Sequence, residues 1–411
     1  MKFRNYAAIA LACALVACGG GGGNSGVNKT TVSSVKVVGA SLADSGTFSY
    51  KFTVQPSSTY PLVYPERIAA TFGAPALCPK FLYNGTTFVA NTSASCSGFT
   101  NYAVAGASVG NYKIESVHAY LPSSSPTSML MQMSAMGAGG FTDSDLVIVG
   151  EGPANDVATL ASAYLAQSPA NSSDFVNIMT GTGIPALLGL DGTTVTTLLG
   201  SASGRAQLGH LYMQKMASQV VASIQSNMLA RGATRVAVLN VLDVTYTPKF
   251  QLALAAVAQA NGATAASNFR ALVQDWVQAY NTQLTADVAA LNTNKVVIVD
   301  FYTNFTAEMN DPAQYGLTNV SATVCDELYS ASTSTTTTVV TAGTTSLATA
   351  PTIPGICTTT AASALTPQHS AVNGADWWKT YLFADNFHPT PYGHQLLAQL
   401  VAKRLTEAGW L

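Results

Sequence analysis

Charge is what this sequence has least of. Lys, Arg, Asp and Glu make up 9% of its 411 residues, against about 25% in an ordinary soluble protein. The 18 basic and 20 acidic residues leave a net charge of −2, and no Lys/Arg cluster occurs. That argues against nucleic acid as a partner, because binding a polyphosphate needs a basic footprint. Histidine is scarce: His118, His210, His369, His388 and His394 are all there are. The six cysteines follow no zinc-binding spacing, and no metal or cofactor is expected. No internal repeat is visible, and no uninterrupted apolar run past the N-terminus reaches spanning length. What fills the chain instead is Ala, Ser, Thr and Asn, a pattern of exported bacterial proteins.

The N-terminus fits that pattern. Met1-Lys2-Phe3-Arg4 is cationic, and residues 6–17 are apolar but too few to cross a bilayer. The run closes on Leu15-Val16-Ala17-Cys18, which resembles a bacterial lipobox. Residues 1–17 are then a lipoprotein signal peptide and Cys18 is the lipidated first residue. Residues 18–33, Gly/Ser/Asn-rich at their start, are a flexible tether. Gly19 rather than aspartate follows the cysteine, resembling an outer-membrane sorting signal. The expectation is an exported lipoprotein, on the periplasmic or surface face, that meets the membrane through its anchor.

Cys13 leaves with the signal, so Cys78, Cys96, Cys325 and Cys357 remain, an even number in an exported chain. Three pairings are possible. Nearest neighbours, Cys78–Cys96 and Cys325–Cys357, close the shortest loops and are the expected ones. Residues 34–411 read as one domain. Apolar strand signals at residues 35–38, 145–149, 235–240 and 295–300 alternate with helical spacing at 157–167, 205–230 and 266–291. Such alternation predicts an α/β fold, a three-layer α/β/α sandwich with a parallel sheet of about five strands. Residues 321–364 depart from it. They are Thr/Ser-rich and read as a surface insertion pinned by Cys325 and Cys357.

Ser41 stands just past the strand at 35–38, after Gly39, where open α/β sheets form their sites. A serine nucleophile needs a base, a group that orients the base, and donors for the developing oxyanion. Of the five histidines only His388 has an aspartate, Asp385, three residues before it in a proline-bounded loop. That spacing lets the Asp385 carboxylate fold back onto Nδ1 and leaves Nε2 for the serine. His394, on the helix that follows, reads as structural.

These residues carry a resemblance to the GDSL, or SGNH, family of serine hydrolases. Gly39-Ala40-Ser41-Leu42-Ala43-Asp44-Ser45-Gly46 resembles the family's first block, Gly-Asp-Ser-Leu followed by Ser-Asp-Thr-Gly. Residues 101–107 resemble the second block, Pro153-Ala154-Asn155-Asp156 the third, and residues 385–390 the last, Asp-x-x-His-Pro-Thr. The blocks fall in the family's order. Two departures stand out: Ala40 replaces the aspartate of the family's name, and Pro153 stands where the third block carries glycine. The resemblance implies Ser41 as nucleophile, His388 as base and then acid, and Asp385 as orienter. It implies an oxyanion hole from the Ser41 and Gly106 N–H groups and the Asn155 amide, with a flavodoxin-like fold. Acyl esters, lipids or phospholipids are the implied substrates. A carbohydrate acetylesterase, or a non-catalytic surface lipoprotein on the same scaffold, is the alternative.

Overall fold

Val/Ile-rich runs build the four strands of the main sheet, and short aromatic runs build three of the others. In chain order the strands are β1 (Ser34–Val38), β2 (Phe81–Tyr83), β3 (Phe88–Ala90), β4 (Asp145–Val149), β5 (Val236–Leu239), β6 (Val296–Val299), β7 (Asn319–Thr323) and β8 (Tyr381–Phe383). The computed structural model describes residues 31–56, 61–96, 98–110, 124–166, 173–333, 357–365 and 374–411. The expected signal peptide, Cys18, most of the expected tether, His118 and His369 lie outside the described residues.

Strands β1, β4, β5 and β6 form one parallel sheet in that order. Every residue of β4 is buried, as a strand covered on both faces requires. Helices Tyr64–Thr71 and Pro391–Glu407 pack together on β1 and β6 as one layer. Met129–Gly137, Pro153–Leu165, Ala202–Asn227 and Ala263–Ala290 pack together as the other. The two longest helices approach closely because Gly209 has no side chain. A Cβ there would collide with the Trp276 ring, whose Nε1 donates to the Ala206 carbonyl at 3.0 Å.

The main sheet has four strands where the alternation predicts about five. The fifth place, beside β1, is taken by residues 100–104. Val37 N–H donates to the Thr100 carbonyl, Tyr102 N–H to Val37, and Val104 N–H to Gly39. Pairing stops at an isolated bridge, Val37 to Asn101. The reason is local: the Asn101 amide donates to the Ala43 carbonyl and accepts the Ala103 N–H. That side chain draws its own backbone into a turn instead of a ladder.

The Thr/Ser-rich stretch at 321–364 is not a bare loop at its ends. It opens within β7, which pairs in parallel with β8, and continues as helix Val324–Thr333. It closes in helix Thr359–Ala364; residues 334–356 lie outside the described ones. Val54, Val324, Cys325, Cys357, Trp377 and Tyr381 form a second apolar cluster there. Threonine at a strand position conceals the apolar alternation on which sequence reading depends. Both expected disulfides form. Cys78–Cys96 closes the β2–β3 hairpin, and Cys325–Cys357 joins the two ends of the stretch within the second cluster. Each contributes about 3–4 kcal/mol in the chain-entropy account.

Glu308, in helix Phe301–Asn310, is 3% exposed, and its one hydrogen-bond donor among the described residues is the Asn304 amide. Burial pushes its carboxyl up from 4.5 to about 7. Between those values the folded chain holds a proton that the unfolded chain has lost. Stability therefore falls as pH rises toward 7, and the deficit persists above it. Glu308→Gln removes that deficit and should stabilise the fold by on the order of 2 kcal/mol at pH 8. At pH 4 it should change little. Urea unfolding at the two pH values tests this, and equal stability of both proteins at pH 8 would contradict it.

Candidate active site

The register places the site. Val38 of β1 pairs with Val149 of β4, so the loops after these strands leave the sheet side by side. The Gly150 N–H donates back to the Val38 carbonyl at 2.8 Å. Gly39 turns the chain out of β1 at φ +156°, and a Cβ there would press on Ala43 and the Gly150 backbone. The Gln132 side chain then grips the Gly39 peptide. It accepts from the N–H at 2.8 Å and donates to the carbonyl at 3.1 Å. Ser41 follows, 5% exposed, at the floor of this arrangement.

The last block arrives from β8. Thr390 ties it down. Its N–H donates to Leu382, its hydroxyl donates to the Tyr381 carbonyl at 2.6 Å, and its Oγ1 caps helix Pro391–Glu407 at Gly393. Within the turn before it, Asp385 Oδ1 accepts the N–H groups of Phe387 and His388 at 2.9 and 2.7 Å. That local turn aims the carboxylate at the imidazole. His388 Nδ1 lies 2.9 and 2.8 Å from the two Asp385 oxygens, and Nε2 lies 2.8 Å from Ser41 Oγ. Burial opposes ionisation of Asp385, but the facing His388 and these hydrogen bonds hold its carboxyl below the usual range.

The second block is fastened to the first. The Asp44 carboxylate accepts N–H groups from Gly46 and Thr47 in its own loop, and from Ala105 across the gap at 2.9 Å. Gly106 follows at φ +77°, a left-handed conformation that favours glycine. No atom lies within 4 Å of where its Cβ would be. Conformation, rather than packing beneath it, explains the glycine. Neither the Ser41 nor the Gly106 N–H donates to another protein group among the described residues.

A seated serine and an imidazole bridging it to a buried carboxylate are the parts that nucleophilic acyl transfer requires. Comparison with protein families agrees. Residues 207–401 match the family GDSL-like Lipase/Acylhydrolase. The chain carries a GDSL/SGNH hydrolase domain. A comparison with curated proteins finds no match. The family match takes in Asp385 and His388 of the hydrolase, while Ser41, Gly106 and Asn155 precede it.

Asn155 lies in the first turn of helix Pro153–Leu165, which begins four residues past β4. One amide N–H donates to the Ala107 carbonyl at 2.8 Å, and an amide has a second to give. Pro153, the departure in this block, occupies the first helical position, where a missing N–H is harmless. Gly152 before it is demanded by packing, since a Cβ would overlap the Met129 side chain.

The other described histidines stand apart. His210 pairs with Asp275 at the surface, 2.9 Å away. His394 is wholly buried on helix Pro391–Glu407, and burial pushes its pKa down to about 3. Neither of its ring nitrogens makes a well-formed hydrogen bond among the described residues, although the Phe52 backbone lies close. It is a core residue of the hydrolase. Two site residues carried no sequence signal, Gln132 and Glu151. Gln132 sits in a Met-rich helix far from any block, and Glu151 lies between two glycines, in the short gap between the strand at 145–149 and the third block.

Proposed function

We propose that the hydrolase cleaves carboxylic esters (acyl esters, lipids or phospholipids) through an acyl-enzyme on Ser41. The observation that carries this reading is the unbroken chain from Asp385 through His388 to Ser41 Oγ. His388 Nε2 takes the hydroxyl proton as Oγ attacks the ester carbonyl. The oxyanion that develops is met by the Ser41 and Gly106 N–H groups and the second Asn155 amide proton. Collapse expels the alcohol, which leaves with the proton from His388. Water, deprotonated by the same imidazole, then attacks the acyl-enzyme and frees Ser41.

Aromatic rings beside the imidazole support an apolar acyl group. The Phe52 ring centroid lies 5.0 Å from that of His388. Contacts continue through Tyr50 and Phe48 to Tyr83 and Phe88 on the β2–β3 hairpin. Hydrolysis of p-nitrophenyl esters from acetyl to palmitoyl, wild type against Ser41→Ala, tests the reading. It predicts turnover by the wild type alone, fluorophosphonate labelling at Ser41, and a preference for chains longer than acetyl. Hydrolysis that survives Ser41→Ala would sink it.

The anchor is a separate proposal. The lipobox-like run before Cys18 supports a mature protein held to a bacterial membrane by lipid at that residue. Two disulfides suit an oxidising compartment outside the cytoplasm. Mass spectrometry of the mature N-terminus should find acylated Cys18, and a product cleaved elsewhere would refute the anchor.

A further inference from the structure

The first block lacks a carboxylate beside the nucleophile in sequence, yet one stands there in space. An aspartate at position 40 would accept the N–H two residues on, at Leu42, in an Asx-turn. Ala40 cannot. Leu42 is 6% exposed, so water is no ready substitute, and a buried donor left unpaired is costly. The Leu42 N–H instead donates to Glu151 Oε1 at 2.8 Å. The Ala40 N–H faces the same carboxylate. Glu151 is two residues past Val149, and only the β1–β4 adjacency brings it under Ser41. It is 3% exposed, its Oε2 makes no well-formed hydrogen bond among the described residues, and the buried Tyr64 phenol lies against it.

We propose that Glu151 is a positioning residue that supplies, from the loop after β4, the carboxylate missing at Ala40. By holding the backbone N–H groups on both sides of Ser41, it fixes the turn that carries the nucleophile. Ser41 Oγ then meets His388 Nε2, and the Ser41 N–H stays turned toward the oxyanion. A carboxyl enclosed this fully is a costly way to fill space. Burial raises its pKa above the usual carboxyl range, while its own N–H, the Leu42 N–H, the His388 charge and the Ala40 N–H act in the opposite direction. The proposal rests on Ser41 being the nucleophile.

Three variants test it. Glu151→Leu keeps most of the bulk and removes the acceptor, whereas Glu151→Gln keeps the acceptor and removes the charge. The third, Ala40→Asp with Glu151→Leu, returns a carboxylate by the local route. The readouts are kcat and KM on a p-nitrophenyl ester and the rate of fluorophosphonate labelling of Ser41. Glu151→Leu should lower kcat and the labelling rate about tenfold or more, with KM nearly unchanged. Glu151→Gln should stay within about threefold of wild type, since the hydrogen bond to Leu42 survives. The double variant should recover much of the loss. It also serves if Glu151→Leu alone does not fold, because its Leu42 donor is satisfied. A folded Glu151→Leu with wild-type kcat, or a folded double variant no faster than Glu151→Leu, would overturn the role. Wild-type protein unlabelled at Ser41 would overturn the nucleophile and the positioning role together. Normal labelling of both wild type and Glu151→Leu would overturn the positioning role alone.

Discussion

Ser41→Ala and His388→Ala should each lower kcat by about four to six orders of magnitude, and the double variant should be hardly worse than either. The reason is chemical. A serine hydroxyl is scarcely ionised at neutral pH and attacks an ester only as a base removes its proton. At 2.8 Å, His388 Nε2 is the group in reach of Ser41 Oγ. Once either partner is gone, the other has nothing to act on, so the two losses do not add. The oxyanion donors are backbone groups and Asn155, which both substitutions leave in place, and these account for the residual rate. Neither side chain is needed by the core: Ser41 ends in a loop and His388 is only half-buried. Melting temperatures should therefore stay close to wild type. Losses that multiply in the double variant would mean that the two residues act in separate steps.

Asp385→Asn should cost about four orders of magnitude in kcat, less than the loss of Ser41. Asp385 is 4% exposed and accepts from His388 Nδ1 and from two backbone N–H groups of its own turn. Asparagine can still accept the backbone donors, so the turn should survive. Its amide, however, presents N–H to Nδ1. That favours the tautomer with the proton on Nε2, which cannot take the proton of Ser41. Asn155→Ala leaves the relay whole and removes one oxyanion donor. It should cost about 100- to 1000-fold, in kcat rather than KM. Measuring both variants on one ester separates the roles. An Asp385→Asn enzyme that keeps a third of wild-type turnover would show that His388 needs no orienting carboxylate.

How legible the molecule was follows the range of each interaction. Asp385 and His388 were readable because they sit three residues apart. The Asx-type turn that aims one at the other is made within the same six residues that spell it. Thr390 and Pro391 are legible for the same reason, as the cap and first residue of a helix. The four core strands were found by their short Val-rich apolar runs. β7 was not, because its only apolar residues are Val320 and the small Ala322, and the residue it buries is the polar Thr323. Helix Met129–Gly137 was equally silent, being nearly apolar all round, which leaves no periodicity to read.

By itself, then, the sequence determined the parallel α/β class, the cysteine pairs that close short loops, and the aspartate–histidine turn. Each is set by neighbours along the chain, through strand propensity, loop entropy or a turn of a few residues. Only the tertiary structure decided that His388 meets Ser41 across 347 residues. It also replaced a fifth strand by the Asn101 turn, and it set Gln132 and Glu151 around the nucleophile. Those outcomes depend on which strand lies beside which, and on a register in which Val38 faces Val149. A one-residue slip in that pairing would turn the strand's side chains to the opposite face. No residue pattern within β1 or β4 states that register. It is fixed when both strands bury their two faces between the helix layers.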